Sequence, residues 1–267
     1  TGALGAIFST EVLSMIVSGL PNGFGSRRVL EASLPSAQAA FYSFGEFLRT
    51  AFATELDIEP SEIRVGCQRF SEGSIPSYQL FFADALENGA GYVRQLFDGG
   101  RMYDYLEKHY EKALDEWGSD NHLECDSSCQ NCLRNFQNRM HHALLDWRLA
   151  LDMCELVLGR KIDIDRWLSF SGPLCERFVD DCRLSGLDSV KHLALKNGLS
   201  CLMNDSDMVL VIGHPLWSSK SDGAMHKMQC DAELEVKENF GEGAKIEFVD
   251  VRSLFQKSQD YMSKLSL

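Results

Sequence analysis

Between Ser36 and about Leu56 the apolar residues Ala40, Phe44, Phe47, Leu48, Phe52 and Leu56 recur at spacings of three and four, with charged residues opposite. That period predicts an amphipathic helix of about 20 residues. Before it, GAIFSTEVLSMIV alternates Ile7, Val12 and Ile16 with polar neighbours and predicts a strand, while PNGFGSRR is turn chemistry. After it, IRVGCQRF and SYQLFFAD predict two strands joined through SEGSIPS. A long helix should carry Met102, Leu106, Tyr110, Ala113 and Trp117 on one stripe. Another should begin near His142 and place Leu144, Trp147, Leu151, Cys154 and Leu158 on one face.

The pattern changes near GRKIDID. From about residue 161 it predicts a helix through Pro173 to Cys182, short strands around HLALKN and LSCLMN, and a buried strand in DMVLVIGHPLW. A helix around MQCDAELEVKEN and a final strand, AKIEFVDV, complete the chain, and SSKSDG (218–223) reads as a flexible loop. The expected fold class is α/β, a mixed sheet with packed helices over residues 1–160 and a smaller α/β unit over 161–267.

Composition narrows the setting. With 45% hydrophobic residues in 267, the chain can bury a sizeable core, and no apolar run reaches the roughly 18 to 20 residues of a bilayer span. A soluble protein without membrane partners is expected. The opening TGALGAIFSTEVLSMIV has neither an initiating Met nor a basic leader, and reads as a piece of something larger. Five of the nine cysteines, Cys154, Cys175, Cys182, Cys201 and Cys230, stand singly among apolar neighbours. That is how reduced core cysteines occur, and it predicts a cytoplasmic location. The net charge of −13 divides as 13 Lys+Arg against 22 Asp+Glu in residues 1–160 and 13 against 17 in 161–267. Such a surface repels a phosphate backbone, so any nucleic-acid contact must be local.

The candidate chemistry lies between the two predicted helices, in HLECDSSCQNCLRNFQNRMHH. His122, Cys125, Cys129 and Cys132 supply four donors at spacings of three, four and three, and tight loops bring such donors to about 2.0 to 2.3 Å from one zinc ion. His142 is an alternative fourth ligand that can fold back from the next helix. The expected zinc is structural, because a catalytic site keeps a position open with a carboxylate base presented to it, and the adjacent Glu124 and Asp126 lack the H-x-E…P-C-x-x-C pattern of zinc deaminases. The loop would then be a zinc staple across a helical hairpin.

Arg134, Arg139 and Arg148, beside His141 and His142, form the most basic locale of an acidic chain and are candidate DNA-backbone contacts. In DALENGAGY (84–92), the Gly89 and Gly91 amides offer either an anion site or a tight strand-to-helix junction. Glu235 and Lys237 evoke the E-x-K of a metal-dependent nuclease, but on a helix they point apart. No G-x-x-x-x-G-K-[ST] loop occurs, so ATP hydrolysis by that route is excluded and no catalytic residue is assigned.

ADALENGAGY, then CDSSCQNCLRNFQN, then His142 followed by DWRLALD, together resemble the MrfA-type zinc-binding (MZB) domain over about Gly5 to Leu158. That domain closes many superfamily 2 DEAD/DEAH-box helicases and helicase-associated proteins of anti-phage defence systems such as DISARM and Druantia. GPLCERFVDDC through DMVLVIGHPLW resembles the tail that follows it in defence-linked members. The resemblance implies a zinc module serving a helicase motor in cis or in trans, engaging DNA, expected to be single-stranded, in antiviral defence or DNA repair. Cys125, Cys129 and Cys132 are the positions that carry over. Many relatives have a further cysteine where Leu123 stands, a place His122 can fill. Two other readings stay open, a metal-dependent nuclease sited in 161–267 and a non-catalytic assembly module.

Overall fold

The computed structural model describes residues 10–25, 29–72, 75–86, 89–97, 101–119, 122, 124–205, 207–218 and 225–266. The chain forms two compact units, one of residues 1–17 and 38–162, the other of 18–37 and 163–267.

In the first unit, β1 (Val12–Ile16), β2 (Ile63–Glu72) and β3 (Ile75–Asp84) make an antiparallel sheet in the order β1-β3-β2. The register pairs Val12 with Ala83 and Val65 with Phe82. Strands β2 and β3 run through most of SEGSIPS, leaving only 73–74 between them. Residues 5–9 of the first predicted strand lie outside the described residues. The predicted amphipathic helix is α1 (Ala37–Leu56). Its Phe44, Leu48 and Phe52 are buried, and Phe52 meets Phe82 of β3 edge to face at 5.4 Å. Gly45 is what lets this helix approach the sheet, since a Cβ there would stand 2.8 Å from Val65 Cγ1 and 3.1 Å from Leu80 Cδ2. Gly45→Val should therefore cost about 1–3 kcal/mol by overpacking, more than valine's small propensity gain over glycine. The check is a lower urea midpoint with an unchanged m-value.

A short α2 (Tyr92–Phe97) precedes α3 (Met102–Trp117), which buries Leu106, Tyr110, Ala113 and Trp117, the predicted stripe less Met102. The next helix, α4 (Trp147–Val157), starts five residues later than its apolar pattern suggests. Asp146 is its N-cap, accepting from the Arg148 amide at 3.0 Å, and the preceding 139–141 form a 3-10 turn. Burial of Trp147 through Glu155 on every side makes α4 the central helix of this unit. The Tyr110 hydroxyl donates to Glu155 Oε1 at 2.8 Å, tying α3 to α4.

The second unit has the sheet order β4-β5-β6-β7, from β4 (Lys191–Ala194), β5 (Ser200–Met203), β6 (Met208–Gly213) and β7 (Lys245–Asp250). The first three are antiparallel, and β6 pairs with β7 in parallel. That pairing needs a crossover, which α6 (Lys227–Phe240) supplies. The long helix α5 (Asp165–Leu184) and the terminal α7 (Val251–Gln256) and α8 (Ser258–Leu265) complete it, the last two unforeseen by the apolar pattern.

Residues 18–37, expected with the first unit, belong to this one. Phe24 bridges to Trp217, the Gly25 amide donates to the Leu216 carbonyl at 3.1 Å, and Ser36 Oγ donates to Asp250 Oδ1 at 3.2 Å. All nine cysteines are free. Cys154, Cys175, Cys182 and Cys201 are buried as expected, whereas Cys230 is exposed on α6, whose pattern turns it outward. Burial pushes the Cys175 thiol up to about 12 and that of Cys201 to about 11, which keeps both protonated and unreactive. Among the described residues no helix is long and apolar enough to cross a membrane.

Candidate metal centre

The loop joining α3 to α4 is held at both ends by the helices themselves. At its start, His122 Nδ1 lies 3.1 Å from the carbonyl of Trp117, the last residue of α3. At its end, Trp147 Nε1 donates to the Cys125 carbonyl at 3.1 Å, and the Trp147 amide to that of Ser127 at 2.8 Å. Arg148 Nη1 donates to the Asp126 carbonyl at 2.9 Å. The indoles of Trp117 and Trp147 flank the buried imidazole of His122, with centroids 6.2 and 5.2 Å away.

These restraints gather four donor atoms, one each from His122, Cys125, Cys129 and Cys132, all within 4.8 Å of one another. Among the described residues this is the one group of three or more such side chains that could hold a metal. Cys129 Sγ and Cys132 Sγ are 3.8 Å apart, far beyond a disulfide. The separation is what a tetrahedron with bonds of about 2.3 Å requires, roughly 3.8 Å. The Cys129 amide also donates to Cys132 Sγ at 3.1 Å, a bond that favours thiolate.

The fit to zinc rests on one atom. His122 Nε2 is buried and has no hydrogen-bond partner. Buried polar atoms are rarely left so, and a lone pair on Nε2 with the Nδ1 proton on a carbonyl is the ligand form of histidine. Burial lowers the His122 pKa, with Arg148 adding to the effect against the opposing Trp117 carbonyl, so the ring is neutral. Its neighbour Cys125 shows the complementary problem. Contact with Cys132, followed by burial, drives its thiol far above the usual range. Several thiolates cannot share so small a volume without a cation to compensate them, and a divalent ion supplies that compensation.

His142 lies outside this group. Its Nε2 is 3.0 Å from both the Asn135 carbonyl and Asn138 Oδ1, which pins the ring into the turn before α4. The three arginines separate as well. Arg134 is half-buried, its Nε donating to Ser128 Oγ at 2.9 Å. Arg139 is exposed, its guanidinium 4.5 Å from the centroid of the Phe136 ring. Arg148 is buried, stacked on Trp147 at 4.5 Å and holding the Asp126 carbonyl, so it braces the loop and has no face for a nucleic acid. Glu46 and Asn138 escape the sequence analysis. Asn138 Nδ2 donates to Glu46 Oε2 of α1 and to the Leu133 carbonyl, each at 2.8 Å, which anchors the loop to the core. A buried carboxylate on an apolar helix face is the signal for such a contact.

The remaining candidates resolve locally. In 84–92 the amides of Ala90, Gly91, Tyr92 and Val93 all donate to the buried carboxylate of Asp84, at 2.7 to 3.2 Å. An internal anion thus occupies the place a phosphate would take, and residues 87–88 of the stretch lie outside the described residues. On α6, Glu235 accepts from the Lys196 amide at 3.0 Å while Lys237 pairs with Glu233 at 2.6 Å, so the two do not converge on one site.

Comparison with known proteins matches residues 44–133 to the MZB family, the MrfA Zn-binding domain. This segment is thus similar to that domain. The matched span contains His122 and the three cysteines and ends before Arg134 and His142, and zinc is its structural metal. The Druantia protein DruE of Escherichia coli (strain UMEA 4076-1) is 29% identical over 163 residues, which cover 58% of this chain and 8% of DruE. The chain therefore matches only a small part of that much longer protein. A solved chain titled as the DUF1998 helicase MrfA bound to DNA aligns at 12% identity over 48% of this chain and 15% of its own. Its TM-score is 0.33, too low to carry an argument about fold. In the first unit the loop, the cap on α4 and the Glu46 anchor form one connected structure.

Proposed function

We propose that this chain is the zinc-stabilised accessory part of a helicase or of a helicase's partner. It would brace the motor and engage a nucleic-acid strand, in antiviral defence or DNA repair, with ATP hydrolysis supplied elsewhere. His122, Cys125, Cys129 and Cys132 hold the ion and Arg134 and Arg139 face the strand. The observation that carries this reading is the buried, unpartnered Nε2 of His122 beside three gathered sulfurs, in a domain of a family named for MrfA. The motor and the pathway are inferred from kinship alone, through the family named for MrfA and through the Druantia relative. Among the described residues of 161–267 no three His, Cys, Asp or Glu side chains gather as a metal site for a nuclease, and an assembly module without nucleic acid is the competitor.

The test is the salt dependence of binding to a labelled single-stranded oligonucleotide. Each phosphate contact on a single strand contributes about 0.7 to the slope of log K against log salt, so Arg134→Ala with Arg139→Ala should reduce that slope by roughly 1.4. Arg148→Ala should instead destabilise the fold, because it unpins the metal loop. Absence of binding at low salt by the intact chain would leave the assembly role and remove the nucleic-acid one.

A further inference from the structure

On the outer side of the metal loop lies an open groove of about 610 Å³. Its lining includes Arg134, Asn135, Phe136, Arg139 and His142, with Cys129 of the metal loop. Two features mark it. Phe136 is 75% exposed and Met140, four residues on, 82%, although large apolar side chains ordinarily leave water. And in a chain of net charge −13, no Asp or Glu occurs from Ser127 to Leu145, while Arg134 and Arg139 do. Three thiolates around a dication leave one net negative charge under the groove, which the two arginines outweigh.

The arrangement is specific in its geometry. The Arg139 guanidinium sits over one face of the Phe136 ring at 4.5 Å, which orients the ring and leaves its other face as the one a base could take. Arg134 is tethered by its Nε to Ser128, so its guanidinium is held at the groove. Asn135 and Asn138 exchange paired bonds, each amide donating to the other's side-chain oxygen at 3.0 and 3.1 Å, which stiffens the turn presenting Phe136. An exposed aromatic ring in one groove with two arginines matches a base with its adjoining phosphates. A duplex, whose base faces are already stacked, offers nothing to the ring.

We propose that this groove is a stacking subsite for one unpaired base of a single-stranded nucleic acid, with the base on Phe136 and the flanking phosphates on Arg134 and Arg139. The proposal rests on the nucleic-acid reading above and adds the residue and the chemistry of contact. Its test is fluorescence anisotropy of the purified chain with labelled dT12, rU12 and a 12-base-pair duplex, with zinc content measured for each variant. Phe136→Ala should weaken dT12 binding by about 5- to 150-fold, the range for losing one base–aromatic stack. Its salt slope and zinc content should stay unchanged, because the ring touches neither phosphate nor metal, and Phe136→Trp should restore affinity. The same Phe136 dependence is expected on rU12, and tighter binding there would identify RNA as the source of the strand. If Phe136→Ala binds like the parent while the arginine variant is weakened, stacking is overturned and the nucleic-acid reading stands. If the duplex binds as tightly as dT12, stacking is likewise overturned. If the parent chain binds no strand, both fall, and the exposed Phe136 and Met140 belong to a protein contact.

Discussion

Cys129→Ser should abolish stoichiometric zinc binding and lower the unfolding temperature of the first unit by at least about 10 °C. Little else fills the loop. Apart from buried Leu133, residues 124–135 place only polar groups and three sulfurs there, and their fixed geometry comes from hydrogen bonds to Trp147 and Arg148, with His122 held to Trp117 ahead of them. Structural zinc contributes about 10–16 kcal/mol to the folding of small zinc-finger peptides. Here a preformed frame supplies part of the order, so a loss of at least about 4 kcal/mol is expected, and for a unit of this size each kcal/mol moves the midpoint by roughly 2–4 °C. Elemental analysis should find about one zinc per chain in the parent, and acidification should release it as protons compete for the ligands. Tryptophan fluorescence is a direct reporter, because Trp117 and Trp147 flank His122. His122→Ala should weaken zinc strongly while His142→Ala keeps the stoichiometry, and the reverse result would exchange the two histidines. A parent chain without zinc, prepared free of chelators, would remove the metal centre altogether.

Asp84→Ala should destabilise the same unit by roughly 3–5 kcal/mol without altering zinc content. The Asp84 carboxylate is fully buried and accepts four backbone amides, those of residues 90 to 93, at the start of α2. Hydrogen bonds to a charged group contribute more than neutral ones, and removing the acceptor strands several donors away from water. The measurement is urea denaturation, with Asp84→Asn as the graded variant, which retains one acceptor oxygen and should lose less. Millimolar formate should recover part of the stability of Asp84→Ala if the amides form an anion cradle. Unchanged stability in Asp84→Ala would show that water replaces the carboxylate, and the junction would then need another account.

Periodicity was enough for α1, α3 and the β2–β3 pair, because a helix or strand with one buried face writes that face into spacings of three and four or of two. It failed at the start of α4, where the pattern of Leu144 and Trp147 is continuous but the Asp146 cap and the His142 bonds begin the helix at Trp147. It failed again for residues 18–37. Their partners, Leu216, Trp217 and Asp250, are about 200 positions away, and no local pattern encodes such a pairing.

The candidate site divides along the same line. By itself the sequence determined that three cysteines and a histidine are spaced for a zinc ion, because chelation in a tight loop is a local matter of chain reach. Only the tertiary structure decided between His122 and His142, since both are within reach along the chain. The choice is made by a cage of two indoles and by the carbonyl that takes the Nδ1 proton. Only the tertiary structure, too, turned Arg148 inward as a brace and left Arg134 and Arg139 beside an exposed Phe136. Charge and residue type are properties of the sequence, whereas the side of the molecule on which a charge is spent depends on what packs around it.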